Sequence, residues 1–323
     1  MCTAVTYKTK DFYFGRNLDY EISYNEMVII TPRNFHFKFR KVKNVPKHFA
    51  MIGMATVADD YPLYFDATNE KGLSMAGLNF PDNACYKPIR CDKDNVAPFE
   101  FIPYVLSQCE SVADAEKLLE NVNLVKINFN ENLPLAPLHW IISDKKKSIT
   151  VEQVKDGLKV YENPVGVLTN NPPFPYHLYN LSNYMSVSAG ETENKFAEKL
   201  KLKAYSRGMG SIGLPGDMSS ASRFVRAAFT KYNSVSEKGE TSSVNQFFHI
   251  LNSVAQPRGC TKLGDQYEIT IYSSCCNTDK GVYYYTTYEN SAVTGVDMNK
   301  EDLNGKDLII YKLKSAPEFN IQN

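Results

Sequence analysis

The sequence predicts an α+β fold in which antiparallel sheet is covered by helices. Strand-like segments rich in β-branched and aromatic residues follow one another in adjacent runs, and helix-like segments are inserted between them as blocks. This order disfavours the alternating βαβ units of a parallel sheet. Because no internal repeat and no low-complexity linker interrupts the 323 residues, we expect one domain over residues 1–323.

The first half of the chain is predicted to be mostly strand. Residues of high β-propensity mark strands at 4–8, 12–17, 27–31, 64–66, 73–79, 138–143, 149–153, 158–161 and 165–169. Apolar residues recur with helical spacing over 98–121, which predicts two helices, and Ser111 is a suitable N-cap for the second. Three prolines within residues 171–175 argue against regular structure there.

The second half begins with a polar loop, which we expect over residues 185–218. Helical patterns follow at 219–232 and 243–254. Two final strands at 269–275 and 281–288 are expected to form a hairpin, because they are joined by a short polar turn.

A glycine-rich run inside that loop, residues 208–213, matches the G-x-G-x-x-G pattern of dinucleotide sites. Such a site needs a strand before the pattern and a helix opening on it. Here a polar segment precedes the run, and Pro215 obstructs a helix directly after it. We therefore interpret the run as a flexible glycine-rich loop.

Composition and charge exclude several classes of protein. Thirty-six Lys and Arg balance 36 Asp and Glu, and the 43% of apolar and 22% of charged residues are typical of a globular chain. A neutral balance argues against a dedicated partner of nucleic acid or of an anionic membrane surface, which would need excess positive charge. The 21 Tyr and 18 Phe suit half-buried strands and apolar clefts.

The N-terminus and the cysteines favour a cytoplasmic location. No charged region followed by an apolar region resembles a secretory signal, and no apolar run is long enough to cross a bilayer. Seven cysteines, an odd number in a long chain, predict reduced thiols. We expect no metal site, because neither Cys-x-x-Cys nor His-x-x-x-His spacing occurs.

Cys2 is distinguished by its position. The initiator Met is normally removed before a small residue, so the mature chain would carry a thiol and an α-amine on one Cα. The amine, with an ordinary pKa of about 7.7–8.0, can accept the thiol proton near neutral pH, directly or through water. The plain alternative is an ordinary residue of the first strand, and the neighbouring sequence must decide between the two.

Blocks of sequence spread over nearly the whole chain favour the catalytic interpretation. They are Met1-Cys2-Thr3, Phe14-Gly15-Arg16-Asn17-Leu18-Asp19, Asn69-Glu70-Lys71-Gly72-Leu73, Ala76-Gly77-Leu78-Asn79-Phe80-Pro81, Leu168-Thr169-Asn170-Asn171-Pro172, Leu214-Pro215-Gly216-Asp217, Ser222-Arg223-Phe224 and Tyr283-Tyr284-Tyr285. In this combination and order they resemble the choloylglycine hydrolase family. The resemblance implies an N-terminal nucleophile hydrolase fold, a four-layer αββα sandwich of two stacked antiparallel sheets between helical layers.

The resemblance implies a role for each of several polar residues. Cys2 would be the nucleophile, Asp19 would hold the terminal amine, and Arg16 would lie beside the thiol and favour the thiolate. Arg223 would be a second active-site arginine. Spacing alone does not separate it from Arg226, three residues further along a predicted helix, but the Ser-Arg-Phe block favours Arg223.

Asn79 and Asn170 match the oxyanion-hole residues of the family, the first through its backbone N–H and the second through its side-chain amide. Asn171 is the adjacent alternative, and the Thr-Asn-x-Pro spacing selects Asn170. Asn79 also separates two activities within the family, since penicillin V acylases usually carry Tyr there and bile salt hydrolases Asn.

For the substrate, the resemblance implies bile acids conjugated to glycine or taurine, cleaved through a thioester on the cysteine. The positions that match steroid-contacting residues are apolar or aromatic, as an apolar cleft requires. They are Leu18, Phe65, Phe129, Leu133 and Leu138, with Tyr24 close by. Each of them is also an acceptable core residue.

Two other functions stay open at this point. One is hydrolysis of penicillin V or another N-acyl amide, and the other is steroid binding without catalysis. No metal or organic cofactor is implied, because thiol, amine and amide donors supply the chemistry. Relatives are commonly homotetramers in which a loop reaches a neighbouring subunit, and residues 195–211 are the candidate loop.

Overall fold

Two antiparallel sheets form the centre of the computed structural model, which describes residues 1–43, 45 and 47–323. The strands are β1 (Cys2–Lys8), β2 (Phe12–Tyr20), β3 (Met27–Thr31), β4 (Met51–Ala58), β5 (Tyr61–Asn69), β6 (Ser74–Asn79), β7 (Asp94–Val96), β8 (Val122–Leu124), β9 (Leu138–Ser143), β10 (Ser148–Val154), β11 (Gly157–Glu162), β12 (Val167–Leu168), β13 (Lys262–Leu263), β14 (Gln266–Tyr267), β15 (Ile269–Asn277), β16 (Val282–Thr287), β17 (Thr294–Asp297) and β18 (Ile309–Lys312). The α-helices are α1 (Phe101–Leu106), α2 (Val112–Leu119), α3 (Phe174–Leu181), α4 (Ser220–Asn233) and α5 (Glu240–Asn252).

The two sheets stack face to face between helical layers. One sheet has the order β12-β1-β2-β15-β16-β17 and the other β11-β10-β9-β6-β5-β4-β3-β18, with every neighbouring pair antiparallel. Helices α4 and α5 contact β1 of the first sheet, α1 contacts β5 and β6 of the second, and β6 contacts β1 and β2 across the interface. This arrangement confirms the αββα sandwich.

Both faces of the eight-stranded sheet are buried, so its strands alternate between two cores. Val28 and Ile30 belong to the core that fills the space between the sheets and continues under α4 and α5. Ile29 belongs to the outer core beneath α1 and α2. Successive side chains of a strand point to opposite faces, which explains why apolar residues run continuously here instead of alternating with polar ones.

Most predicted elements are confirmed, and one prediction is wrong. Residues 27–31 and 138–143 match β3 and β9, and Ser111 caps α2 by accepting a hydrogen bond from the Asp114 N–H. Regular structure was not expected within 171–175, yet α3 begins at Phe174. Pro175 is accommodated because the first helical turn leaves its N–H groups without intrahelical partners, so a missing N–H loses nothing there.

The glycine-rich run lies in an irregular, mostly exposed segment. Residues 182–219 are all described and contain no strand, and the next α-helix begins only at Ser220. Gly208 adopts a positive φ of 79°, a conformation that favours glycine. The loop interpretation is therefore confirmed, and the geometry of a dinucleotide fingerprint is not met.

We predict that Gly15→Ala destabilises the fold. A Cβ at Gly15 in β2 would lie 1.9 Å from the Ser274 carbonyl oxygen of β15, so the two strands would have to separate. Overpacking of this kind costs about 1–3 kcal/mol, measurable by urea unfolding. Gly216→Ala is the matched control, because its Cβ would enter open space. Equal stability of the two variants would contradict the close approach.

Candidate active site

Cys2 is the first residue of β1, in the interior of the six-stranded sheet. β1 lies between β12 and β2, Cys2 is paired with Leu18, and only 4% of Cys2 is exposed. The preceding Met1 ammonium donates to the Asp19 carbonyl oxygen over 2.7 Å and pairs with the Glu268 carboxylate. Burial lowers the pKa of this ammonium from its ordinary value of 8.0. The surroundings therefore favour a neutral amine at this end of β1.

Asn170 and Arg223 hold the main chain of Cys2. The Cys2 N–H donates to Asn170 Oδ1 over 2.8 Å. Arg223 of α4 donates from Nη2 to the same oxygen over 2.7 Å, and from Nη1 to the Cys2 carbonyl oxygen and to Thr3 Oγ1. Its Nη1 also lies 3.9 Å from Asp19 Oδ2. One guanidinium thus connects the N-terminal strand, the Asn170 side chain and a buried carboxylate.

Arg16 occupies an opening between β5 and β6. The ladder between these strands ends at the pair Asp66 and Ala76. Arg16 Nη1 donates to the carbonyl oxygens of Phe65, over 3.0 Å, and of Gly77, which the ladder would otherwise have satisfied. Its Nη2 is buried and has no hydrogen-bond partner among the described residues. This N–H group is available to a negative charge that enters the opening.

Asn79 faces the same opening from β6. On the other edge of β6, the Phe80 N–H donates to the Pro137 carbonyl over 2.7 Å. Main-chain groups of successive residues in an antiparallel strand point to opposite edges, so the Asn79 N–H and C=O point toward the opening. Its carbonyl accepts a hydrogen bond from Asn170 Nδ2 over 2.7 Å, so the Asn170 amide lies beside the same residue whose N–H faces the opening.

The charges at the site are buried and mutually balanced. Burial raises the pKa of Asp19 while Arg223 opposes the rise, and Thr270 Oγ1 donates to Asp19 Oδ1 over 2.6 Å. For Arg16, burial disfavours the charge, but the negative charges around it, that of Cys2 foremost, raise its pKa above the ordinary value. Arg16 is therefore a permanent cation close to Cys2.

Asp66 is a second buried carboxylate that sequence analysis missed. It accepts hydrogen bonds from the hydroxyls of Tyr272, over 2.6 Å, Tyr283, over 2.7 Å, and Ser274, over 3.3 Å. These donors belong to the six-stranded sheet, whereas Asp66 belongs to the eight-stranded one. Burial raises the pKa of Asp66, and the charge of Arg16 acts in the opposite direction. The available signal was a charged residue inside a predicted strand, since such a residue is rarely buried without partners.

The structure decides between two pairs of neighbouring candidates that sequence spacing could not distinguish. Asn171 Nδ2 donates to the Pro81 carbonyl over 2.8 Å, whereas the side chain of Asn170 reaches Cys2. Arg226 donates to the carbonyl oxygens of Ser253 and of Pro215, and so supports the loop before α4. Asn170 and Arg223 therefore meet at the thiol-bearing residue, and Asn171 and Arg226 do not.

The expected substrate-contacting positions fall into two groups. Tyr24 and Phe65 are half-buried, with ring centroids 6.0 Å apart, and Leu18 lies opposite Cys2 in the core between the sheets. The second group packs against the outer core and consists of Phe129, Leu133 and Leu138. The Phe129 ring stands edge-on to Phe99 at 5.1 Å. Leu18 and Phe65 thus pack with the core that contains Cys2, and Phe129, Leu133 and Leu138 pack with the outer core.

Within residues 1–43, 45 and 47–323, no group of three or more His, Cys, Asp and Glu side chains is arranged to hold a metal ion. No helix there combines the length and the apolar character needed to span a membrane. All seven cysteines lie in this part, and none forms a disulfide.

Comparison with known proteins places this geometry among amide hydrolases. Residues 2–311 match the family model for linear amide C–N hydrolases of the choloylglycine hydrolase family. A bile salt hydrolase/transferase of Lactiplantibacillus plantarum is 57% identical over 100% of both chains. A crystal structure of a mutant conjugated bile acid hydrolase from Clostridium perfringens is 40% identical over 100% of both chains, with a TM-score of 0.92. A penicillin V acylase from Agrobacterium tumefaciens, 19% identical over 97% of this chain and 92% of its own, has a TM-score of 0.78 and shares the fold.

We predict that the stability of Asp66→Asn depends less on pH than that of the unsubstituted protein. Because the pKa of Asp66 is raised in the folded state, stability is lost as pH rises above the ordinary value near 3.8. Asparagine abolishes this loss, so the free energy of unfolding of the variant relative to the unsubstituted protein should increase from pH 4.5 to 7.5. The increase is about 1.4 kcal/mol for each unit by which folding raises the pKa of Asp66.

Tyr272→Phe is the matched comparison for that measurement. It removes one donor to Asp66 and keeps the carboxylate, so the loss of stability with rising pH should become steeper. Urea unfolding at several pH values checks both variants. Parallel curves for Asp66→Asn and the unsubstituted protein would contradict the prediction.

Proposed function

Because the chain belongs to the choloylglycine hydrolase family, we propose that it hydrolyses the amide bond of bile acids conjugated to glycine or taurine. The observation that carries the proposal is the convergence of Arg16, Asn170 and Arg223 on a buried Cys2 at the start of β1. The full-length similarity to a bile salt hydrolase/transferase supports the substrate class.

Removal of Met1 turns the Cys2 nitrogen into the α-amine required by the mechanism. That nitrogen already lies 2.8 Å from Asn170 Oδ1. The neutral amine accepts the thiol proton, and the thiolate beside Arg16 attacks the amide carbon. Asp19 is the carboxylate that orients the terminal amine, as a third group orients the base of a triad.

The negative charge that forms on the carbonyl oxygen meets the donors at the opening between β5 and β6. The Asn79 N–H and the second proton of Asn170 Nδ2 serve as the oxyanion hole, each donor contributing about 3–4 kcal/mol to transition-state stabilisation. The C–N bond then breaks, the ammonium returns its proton to the leaving amine, and a thioester remains. Water hydrolyses the thioester and restores the thiol. An amine in place of water gives acyl transfer, the second activity in the name of the Lactiplantibacillus plantarum relative.

The acyl group of the substrate requires an apolar wall next to these donors. Tyr24 and Phe65 provide one beside Arg16, whose guanidinium is bonded to the Phe65 carbonyl. Leu138 lies opposite Asn79 in the β6–β9 ladder and provides another. Leu18, Phe129 and Leu133 complete the proposed steroid-contacting set. Asn79 favours bile acids over penicillin V, the competing substrate of the family.

We predict that the processed protein releases glycine from glycocholate and taurine from taurocholate faster than it opens the side-chain amide of penicillin V. Cys2→Ala should lower kcat by about 10⁴-fold or more, because the nucleophile is lost. Cys91→Ala, at an exposed thiol, is the control and should keep full activity. Amino-acid release measures the rate, and intact mass confirms that Met1 is absent. Activity of Cys2→Ala, or a higher kcat/KM on penicillin V, would overturn the proposal.

We also propose that the protein is a cytoplasmic homotetramer held partly by residues 195–211. Large apolar side chains in and near this segment are exposed, among them Phe196 and Tyr205 at 84% each. Exposed aromatic residues concentrated in one segment are typical of an interface between subunits. The unpaired cysteines support a reducing compartment.

We predict that the molar mass of the protein in solution is four times the 36.6 kDa of one chain. The double variant Phe196→Asp with Tyr205→Asp should have a lower molar mass. A charge in the centre of an apolar interface is buried without a partner, which weakens assembly. Phe319→Asp, at an equally exposed aromatic residue outside the segment, is the control. Light scattering after size exclusion gives the masses. A monomeric unsubstituted protein would refute the tetramer.

A further inference from the structure

The backbone around Asn170 is held by three side chains that the mechanism does not use, namely the buried His139 and His177 and the half-buried Ser220. The Asn170 N–H donates to Ser220 Oγ over 2.8 Å. His177 Nε2 lies 2.9 Å from the Asn170 carbonyl oxygen, and His139 Nε2 lies 2.8 Å from that of Thr169. Since a carbonyl only accepts, both imidazoles must donate from Nε2. Two consecutive peptide groups are therefore bonded to histidine side chains.

These histidines replace a missing strand neighbour. β12 is an edge strand of two residues that ends at Leu168, so no further strand is available to satisfy the carbonyls that follow. His139 is 0% exposed and stacks on Phe80 with ring centroids 4.2 Å apart. His177 is 1% exposed and stacks on Phe224 at 4.7 Å. Packed rings have little rotational freedom, and so they hold the peptide groups in one place.

The two histidines are joined through Glu152. His139 Nδ1 lies 3.1 Å from Glu152 Oε1, which also accepts the Phe174 N–H at the start of α3, the helix that carries His177. Glu152 therefore connects the ring of His139 to the first turn of the helix that carries His177.

Among the described residues, the His177 side chain makes a single hydrogen bond, to the Asn170 carbonyl oxygen. Burial lowers its pKa to about 4. Its Nδ1 is buried and has no hydrogen-bond partner among the described residues. Its polar role in this structure is thus confined to the Asn170 carbonyl, which makes it the cleaner of the two histidines to test.

We propose that His139 and His177 are positioning residues that fix the main chain of Asn170, so that its side chain can hold the Cys2 nitrogen and the Asn79 carbonyl together. The proposal rests on the proposed function, in which Asn170 orients the nucleophile and binds the oxyanion. It adds to that function the requirement that the peptide groups on both sides of Asn170 be bonded by buried donors. Displacement of Asn170 by a fraction of an ångström would misalign both groups at once.

The test compares His177→Gln with His177→Phe. Gln keeps an amide donor at about the place of Nε2 and loses the ring, whereas Phe keeps a ring against Phe224 and loses the donor. If the hydrogen bond positions Asn170, His177→Phe lowers kcat on glycocholate about tenfold or more, changes KM less than twofold, and His177→Gln recovers most of kcat. If His177 only fills space, His177→Phe is the more active variant, and the proposal is overturned.

The same substitution made in the Asn170→Ala variant distinguishes a positioning role of His177 from a general loss of folding. In the presence of Asn170→Ala, His177→Phe should change kcat less than twofold, because the residue through which it acts is gone. An equal tenfold loss in both backgrounds, or a loss of kcat that follows the loss of Tm in both His177 variants, overturns the proposal.

A measurement that uses no substrate tests the role of His177 separately from the proposed hydrolase function. Alkylation of Cys2 by iodoacetamide, followed by mass analysis of the N-terminal peptide because Cys91 and Cys260 are exposed thiols, should be several-fold slower in His177→Phe than in His177→Gln, since the Cys2 amine is less well held. An unsubstituted protein that hydrolyses none of the amides refutes the proposed function, and the alkylation rates still decide the role of His177. Equal rates in the two variants would refute that role.

Discussion

Arg16 is a charged side chain without exposed surface that lies between the two sheets, and the geometry of the site depends on where it is placed. It belongs to β2 of one sheet, yet its guanidinium bonds to carbonyls of β5 and β6 in the other. These carbonyls are free because the β5–β6 ladder stops at Asp66 and Ala76. Continuation of the ladder would satisfy the carbonyls internally and leave no space for a guanidinium. It would also bury the Asn79 N–H that faces the same opening.

The charges follow from that placement. Two buried arginines, Arg16 and Arg223, are accompanied by two buried carboxylates, Asp19 and Asp66. Ions removed from water are strongly destabilising unless hydrogen bonds and opposite charges compensate. The hydroxyls of Thr270 and of Tyr272 and Tyr283 compensate the carboxylates, and main-chain carbonyls compensate the guanidiniums. The site therefore has a fixed electrostatic field before any substrate arrives, and part of the stability of the fold is given up for it.

Sequence patterns predicted most of the strands and helices that carry the charged groups of the site. They failed for elements whose conformation depends on contacts with residues distant in the chain. Strands such as β3 and β9 were predicted to the residue because β-branched residues are concentrated there. β4 was not predicted, since a continuous apolar run around Gly53 is compatible with helix or strand. Gly53 itself is explained only by the neighbouring strand, where a Cβ would meet the Asp66 carbonyl oxygen at 2.1 Å. α3 was missed because three closely spaced prolines usually interrupt helices, and the position of Pro175 in the first helical turn becomes visible only in three dimensions.

The sequence by itself determined the order of strand runs and inserted helical blocks, the position of Cys2 at the head of the chain, and the motifs that resemble choloylglycine hydrolases. The tertiary structure decided which of two neighbouring candidates meets that cysteine. Asn170 and Arg223 reach it although they lie more than 160 residues away along the chain, whereas Asn171 and Arg226 turn elsewhere. It also revealed Asp66, His139 and His177, whose partners come from other strands and helices. A spacing rule describes residues that share one element. Hydrogen bonds between two stacked sheets join residues whose separation along the chain carries no such regularity, and only the packed fold specifies them.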